Sequence, residues 1–157
     1  MPNISKNLSN GMGRIKLKAF QVKPAIKDLY YGPKYEYDKE YITDLANYYG
    51  ATRIFEADHN DAVDLITKKN IVAMFQGKSE AGPRALGNRS IMYDPRDPKG
   101  KDHVNTIKRR EYFRPFAGSI LKEDVHEWFD LRGMDDTPFM MYAVRCQEGI
   151  EEKIPAI

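Results

Sequence analysis

The run Ile71-Val-Ala-Met-Phe75 passes without a break into Gln76-Gly-Lys-Ser-Glu-Ala-Gly-Pro-Arg-Ala-Leu-Gly-Asn-Arg-Ser90. This junction constrains the chain more than any other feature. Five consecutive apolar residues with a β-branched start are too few for a helix and predict a buried strand. The next fifteen residues hold Gly77, Gly82 and Gly87 at intervals of five. Glycines let a backbone approach an anion closely and turn N–H groups toward it. Lys78, Arg84 and Arg89 add positive charge, and Arg takes phosphate or carboxylate through two parallel hydrogen bonds. A strand feeding a glycine-hinged cationic loop reads as an anion site. It is not a Walker loop, because Gly77-Lys78-Ser79 lacks the earlier glycine, and it is not a G-x-G-x-x-G fingerprint.

Charge is concentrated around this loop. From Lys78 to Arg114 there are ten Lys or Arg against five Asp or Glu, a net +5. The whole 157-residue chain carries only +2, so the remainder is −3. A basic centre in a mildly acidic shell points to an anionic ligand, either a phosphate metabolite or a nucleic acid. A second cationic segment, Asn105-Thr-Ile-Lys-Arg-Arg-Glu-Tyr-Phe-Arg-Pro-Phe-Ala117, holds Lys108, Arg110 and Arg114 at short spacing. Pro115 biases Arg114 toward extended backbone, and Phe113 and Phe116 are expected to anchor the Arg-Pro pair in the core. Each residue also has a plain structural reading. A Lys-Arg-Arg run on a helix is ordinarily a solvated face, and Arg84 or Arg89 can pair with Glu80 or Asp94 as a surface bridge. Two such segments in one small domain favour the site.

The remaining pattern alternates helix and strand, the mark of an α/β or α+β fold. Residues 1–37 read as a lead-in with a short strand at Ala19–Val22, and the compact domain spans 38–157. Ile42, Leu45, Ala46 and Tyr49 define a helix with one buried face, stopped at Gly50. Arg53–Phe55 reads as a strand. Asp58 caps a second helix carrying Ala62, Val63, Leu65 and Ile66. Ser90–Tyr93 is a strand, Asp94–Pro98 a turn and Lys101–Arg110 a cationic helix. Phe116–Leu121 and Phe139–Val144 are strands, with an amphipathic helix over Leu121–Phe129 between them. The apolar end, Ile154-Pro-Ala-Ile157, reads either as a tail packed on the domain or as an unfinished edge.

Other chemistries find little support. Hydrophobic residues are 41% of the chain and charged residues 31%, which excludes a disordered tail. No apolar run approaches the roughly 20 residues of a membrane-spanning helix. The start lacks a signal pattern, and the lone Cys146 rules out an internal disulfide, so a reducing cytoplasmic setting is expected. His59, His103 and His126 are isolated, without metal-ligand spacing. Ser79 and Ser90 lack a G-x-S-x-G setting. Cys146 and the Met140-Met141 pair read as core.

Three motifs together resemble the O-carbamoyltransferase family of nodulation-factor and antibiotic biosynthesis. They are Gly77-Lys-Ser-Glu-Ala-Gly-Pro-Arg-Ala-Leu-Gly-Asn-Arg-Ser-Ile91, Asp94-Pro-Arg96, and Asn105-x-x-Lys108-x-Arg110-Glu-x-x-Arg114-Pro-Phe-Ala117. Tyr30-Tyr-Gly-Pro33, Pro138-Phe-Met140 and Ile154-Pro-Ala156 add to the likeness, which covers about residues 30–157. The resemblance implies a C-terminal domain with a YrdC-like twisted mixed sheet flanked by helices, incomplete at its C-terminus. Such a domain joins carbamoyl phosphate and ATP into carbamoyl-adenylate. A separate N-terminal domain or subunit of the actin-like ATPase type, with an iron site, transfers the carbamoyl group to a hydroxyl. Nothing here resembles that domain, so complete transfer is not expected of this chain. The family often has a bulky residue where Ala81 stands.

On that resemblance, Lys78, Arg84 and Arg114 are the expected catalytic groups. Glu80, Gly82, Asn88, Arg89, Ser90, Lys108 and Arg110 are the expected substrate- and nucleotide-binding residues. Glu80 orients Lys78 or Arg84, and Asn88 and Ser90 donate hydrogen bonds. ATP brings Mg²⁺, for which no protein ligands stand out. Two other classes compete. One is a basic nucleic-acid-binding module, which the mere three aromatics of the basic window (Tyr93, Tyr112, Phe113) support poorly. The other is an inactive fragment that docks on a partner.

Overall fold

The structure, a computed structural model, describes residues 26–157. The strand expected at Ala19–Val22 lies outside them. Helix and strand mix along the described chain, as an α+β fold requires.

The first two helices start where the sequence supplies caps. Asp38 accepts a hydrogen bond from the Tyr41 N–H at 2.7 Å and opens α1, Lys39–Tyr48. Asp58 and Asp61 form a reciprocal capping box at the head of α2, His59–Thr67. Gly50, with φ of 74°, ends the first helical segment in a conformation that glycine adopts without strain. Neither helix has a buried residue. The expected buried face of α1 is therefore not realised within the described chain: Ile42 and Leu45 are 49% and 43% exposed. The period made the helix, but no packed element covers it.

The apolar run forms β1, Val72–Phe75, and pairs antiparallel with β2, Arg89–Met92. The register sets Val72 opposite Met92 and Phe75 opposite Arg89. β1 alternates half-buried and exposed, which corrects the expectation of a fully buried strand. A two-stranded ribbon covers only one of its faces, so Ala73 and Phe75 stay open. The cationic loop is thus the connection of a long hairpin, with both ends tied to the ribbon.

Beyond β2, the Asp94–Pro98 turn leads into α3, Gly100–Ile107. A single turn, α4 (Val125–Trp128), precedes β3, Phe129–Asp130, which pairs antiparallel with β4, Arg145–Cys146. The core lies here: Val104, Val125, Leu131, Ile150, Ile154 and Ala156 are buried together with Asp94 and Asn105. The C-terminal residues belong to it, and the Ala156 N–H donates to the Pro95 carbonyl at 3.1 Å.

Several expected strands are absent. Arg53–Phe55 and Phe116–Leu121 are irregular, and the strand expected over Phe139–Val144 appears as Arg145–Cys146 instead. Propensity made these segments extended, but a strand exists only where a neighbour accepts its hydrogen bonds. The helix expected over Leu121–Phe129 shrinks to α4 because Phe129 turns extended and joins β3. α3 stops at Ile107, so Lys108 and Arg110 lie past its end, with Arg109 left-handed at φ of 51°.

Candidate anion site

The loop between β1 and β2 is built around Glu80. Its Oε1 accepts hydrogen bonds from the N–H groups of Leu86, Asn88 and Arg89 at 2.7, 2.9 and 3.2 Å. Burial raises the Glu80 pKa, but these backbone donors outweigh it and hold the carboxyl below its ordinary value. Glu80 makes no ion pair with Lys78 or Arg84, contrary to its expected orienting role. Its carboxylate occupies the backbone cradle that the glycine spacing offers to an anion.

The other polar residues of the loop also face inward. The Asn88 side-chain amide donates to the Lys78 carbonyl at 2.7 Å, and the Gly87 N–H donates to Ser90 Oγ at 2.9 Å. Arg89 donates from Nη1 to the carbonyls of Gln76 and Asn88 and from Nη2 to that of Gly77. Its guanidinium lies 3.7 Å from the Phe75 ring centroid, a cation–π contact. Asn88, Arg89 and Ser90 thus hold the loop's shape. Gly82, with φ of 124°, supplies a turn that a side chain would strain. Lys78 and Arg84 stand exposed, with no ion-pair partner among the described residues. The loop therefore presents two exposed cations on a frame held by Glu80, Asn88, Arg89 and Ser90.

A segment just before α1 clamps this frame. The Ala81 N–H donates to the Leu29 carbonyl at 2.7 Å, and the Gly32 N–H donates to the Ser79 carbonyl at 2.9 Å. The Ser79 N–H donates to the Pro33 carbonyl at 3.1 Å, and Lys34 bridges Lys78. The Tyr30 hydroxyl donates to the Leu86 carbonyl at 2.8 Å. Gly32 is required here, since a Cβ would lie 2.9 Å from the Ser79 carbonyl oxygen. Composition alone assigns these residues to a lead-in; the Tyr-Tyr-Gly-Pro motif is the signal that they matter.

The second cationic group is organised by Asn105, which is 1% exposed. Its amide donates to the Arg114 carbonyl at 3.0 Å and the Tyr112 carbonyl at 3.4 Å, and its own backbone carbonyl accepts the Arg110 N–H at 2.9 Å. Asn105 Oδ1 is buried without a partner. Arg114 pairs with Glu111, Nε to Oε2 at 2.6 Å, and this hydrogen bond pulls the Glu111 carboxyl below its ordinary value. The expected clasp of Arg114 between two buried aromatics is not formed. Phe113 is 66% exposed, and Phe116 instead receives Arg110, whose guanidinium lies 5.3 Å from its ring centroid. Glu111 is what aims Arg114, and it leaves the Nη1 edge of the fork open. Lys108 is exposed. No hydrogen bond or ion pair joins the two cationic groups among the described residues.

Asp94 lies between them in sequence and is buried. Arg96 donates to it from Nε, Nη2 and its backbone N–H, and these bonds hold the Asp94 carboxyl below its ordinary value. A groove of about 610 Å³ beside α3 is lined by Lys69, Tyr93, Asp97, Lys99, Asp102, His103 and Thr106 and contains none of the expected site residues. Its Asp97 is already engaged by the Tyr93 hydroxyl and by Lys69. Burial pushes the Cys146 thiol above its ordinary value, which makes it a poor nucleophile. Among the described residues no three His, Cys, Asp or Glu side chains cluster to hold a metal ion. They do not fit an iron site.

The carbamoyltransferase C-terminus family profile matches residues 63–157, more than half of the chain and all of both cationic groups. The chain belongs to the carbamoyltransferase C-terminal family. It is 39% identical over 136 residues to nodulation protein NolO of Bradyrhizobium diazoefficiens, covering 84% of this chain and 25% of that protein. It is 38% identical over 136 residues to nodulation protein NolNO of Sinorhizobium fredii, covering 84% of this chain and 20% of that protein. Nodulation protein U of Azorhizobium caulinodans is 42% identical over 86 residues, 55% of this chain and 15% of the relative. The chain spans a quarter or less of the length of each. No helix among the described residues is long and apolar enough to cross a membrane.

Proposed function

We propose that this carbamoyltransferase C-terminal domain binds ATP and carbamoyl phosphate and forms carbamoyl-adenylate, which a separate N-terminal domain or subunit passes to a hydroxyl. The observation that carries this reading is the pair of exposed cations, Lys78 and Arg84, on a loop whose Glu80, Asn88, Arg89 and Ser90 are engaged in hydrogen bonds within it. A rigid frame with exposed, unpaired cations suits polyanions whose charge must be neutralised and positioned.

The overall step consumes one water. Carbamoyl phosphate loses inorganic phosphate to leave carbamate, whose oxygen attacks the α-phosphorus of ATP as the α–β bridging bond breaks and pyrophosphate departs. The reactants repel one another, so the first demand on the protein is charge neutralisation. Lys78 and Arg84 meet phosphate oxygens at the loop. Arg114, aimed by Glu111, offers its open edge as a bidentate contact, and Lys108 and Arg110 add to the same wall. Glu80, Asn88, Arg89 and Ser90 position the loop, and Gly82 lets it turn. Mg²⁺ arrives with ATP and neutralises the phosphates.

Pyrophosphate release from ATP tests the reading. The full chain is expected to release pyrophosphate only when carbamoyl phosphate is present, and Lys78→Ala with Arg84→Ala is expected to abolish it while leaving the melting temperature unchanged. Equal release by wild type and the double variant would refute the assignment.

A further inference from the structure

Folding brings to the cationic loop, beside Phe75 at its edge, tyrosines that lie far from it in sequence. Tyr35 follows Lys34, whose backbone is paired with Lys78 of the loop. The Tyr35 and Tyr37 rings are parallel within 3°, with centroids 5.9 Å apart, and the Tyr37 and Tyr41 centroids are 4.8 Å apart. The Tyr35 centroid lies 6.4 Å from that of Phe75, and Phe75 carries the Arg89 guanidinium. The rings therefore run without interruption to the loop. They are open to solvent: Tyr35 is 51%, Tyr37 46% and Phe75 59% exposed. Glu36, between the two tyrosines, is engaged by Lys34 and held below its ordinary pKa by that hydrogen bond.

We propose that Tyr35, Tyr37 and Phe75 form a stacking shelf for the base of a nucleoside polyphosphate whose phosphates meet Lys78 and Arg84. This rests on the nucleotide reading of the loop and adds to it a seat for the base. Aromatic rings are expensive to leave in water and bind the flat face of any base, whereas outward Lys and Arg bind phosphate. A nucleoside polyphosphate carries those two chemistries at opposite ends of one molecule. The shelf and the loop present their complements side by side, joined by the Lys34–Lys78 bridge and the Arg89–Phe75 contact. The basic window in sequence contains too few aromatics for stacking; the clamp of residues 29–34 on the loop supplies them from outside that window.

Calorimetry on the full chain with ATP and with inorganic triphosphate separates the shelf from the loop. Tyr35→Ala with Tyr37→Ala is expected to weaken ATP about tenfold, the effect of losing one base–aromatic stack, and to leave triphosphate unchanged. Tyr35→Phe with Tyr37→Phe keeps the rings and is expected to bind ATP as wild type does. Should the alanine pair fail to fold, Tyr35→Leu with Tyr37→Leu keeps apolar bulk without the π face and is expected to show the same selective loss. Saturation-transfer NMR with adenosine alone reports the shelf independently of phosphate binding. An adenosine signal that is present with wild type and absent with the variants supports the shelf even if wild type binds no triphosphate, in which case only the loop reading fails. Unchanged ATP affinity, an equal loss for ATP and triphosphate, or no adenosine signal with wild type overturns the proposal. So does an oligoadenylate that binds far more tightly than ATP with a steep salt dependence, since the shelf would then serve a nucleic-acid strand.

Discussion

Glu80 shows how a single charge can be absorbed by the backbone it appears to serve. Three N–H groups converge on one oxygen, and no neighbouring cation shares it. Glu80→Gln keeps an acceptor but removes the charge that makes these bonds strong, so it should destabilise the chain by about 1–3 kcal/mol at pH 7. The pH dependence follows from the lowered folded-state pKa. A carboxyl depressed on folding contributes fully above its unfolded value of about 4.5, and the contribution disappears as pH falls through the lower folded value. Melting curves of wild type and Glu80→Gln should separate at pH 7 and converge in acid. A constant gap across that range would mean that shape, not charge, holds the loop. Arg114 is the opposite case, a guanidinium steered by Glu111 with one edge open. Arg114→Lys keeps the charge and loses the fork. It should weaken ATP binding about tenfold with little change in melting temperature. Large destabilisation with no change in affinity would make Arg114 a structural pair.

At the scale of elements, the decisive contact is between α3 and the segment after it. Asn105 reaches from the buried face of the helix to two carbonyls of the 112–114 turn, and so fixes where Arg114 begins. The i, i+3, i+4 pattern marks which side of α3 is buried, but Asn is not an apolar residue and hides in that pattern. Asn105→Asp preserves shape while replacing the donor by a buried carboxylate facing two carbonyl oxygens. It should cost about 2–4 kcal/mol at pH 7, more than Asn105→Leu, which removes donor and orphaned acceptor together. Acid should partly rescue the Asp variant, because protonation restores an O–H donor and burial raises its pKa. Chemical denaturation at pH 7 and pH 5 measures both. A Leu variant less stable than the Asp variant at pH 7 would show that apolar packing dominates the site.

The whole molecule divides into a packed half and an open half. The core is made by α3, α4, Leu131 just after β3 and the C-terminal residues, whereas α1 and α2 contribute no buried side chain. The curated relatives are four or more times longer than the stretch they share with this chain. The described residues also lack a cluster of metal-binding side chains. We therefore expect the purified chain, given ATP, carbamoyl phosphate and a polyhydroxylated acceptor, to release pyrophosphate but to form no carbamoylated product. Product detected by mass spectrometry without a second protein would place the transfer step in this chain.

What could be read from residues alone was set by local rules. Asp58 marked a helix start because an N-cap needs only a short-range oxygen, and β1 followed from five apolar residues before Gly77. The family was legible in the Gly-Pro-Arg-Ala-Leu-Gly-Asn-Arg-Ser run and the two motifs after it. The roles inside the site were not. Sequence placed Glu80 beside a cation and Arg114 between buried rings. Folding instead gave Glu80 to three backbone donors and Arg114 to Glu111, because hydrogen-bond partners are chosen by loop geometry that no spacing encodes. The strands expected at Arg53–Phe55 and Phe116–Leu121 failed for the same reason, since extended residues become a sheet only beside a partner. Tyr35 and Tyr37 reached the loop through the Gly32–Ser79 clamp, a long-range contact between segments more than forty residues apart.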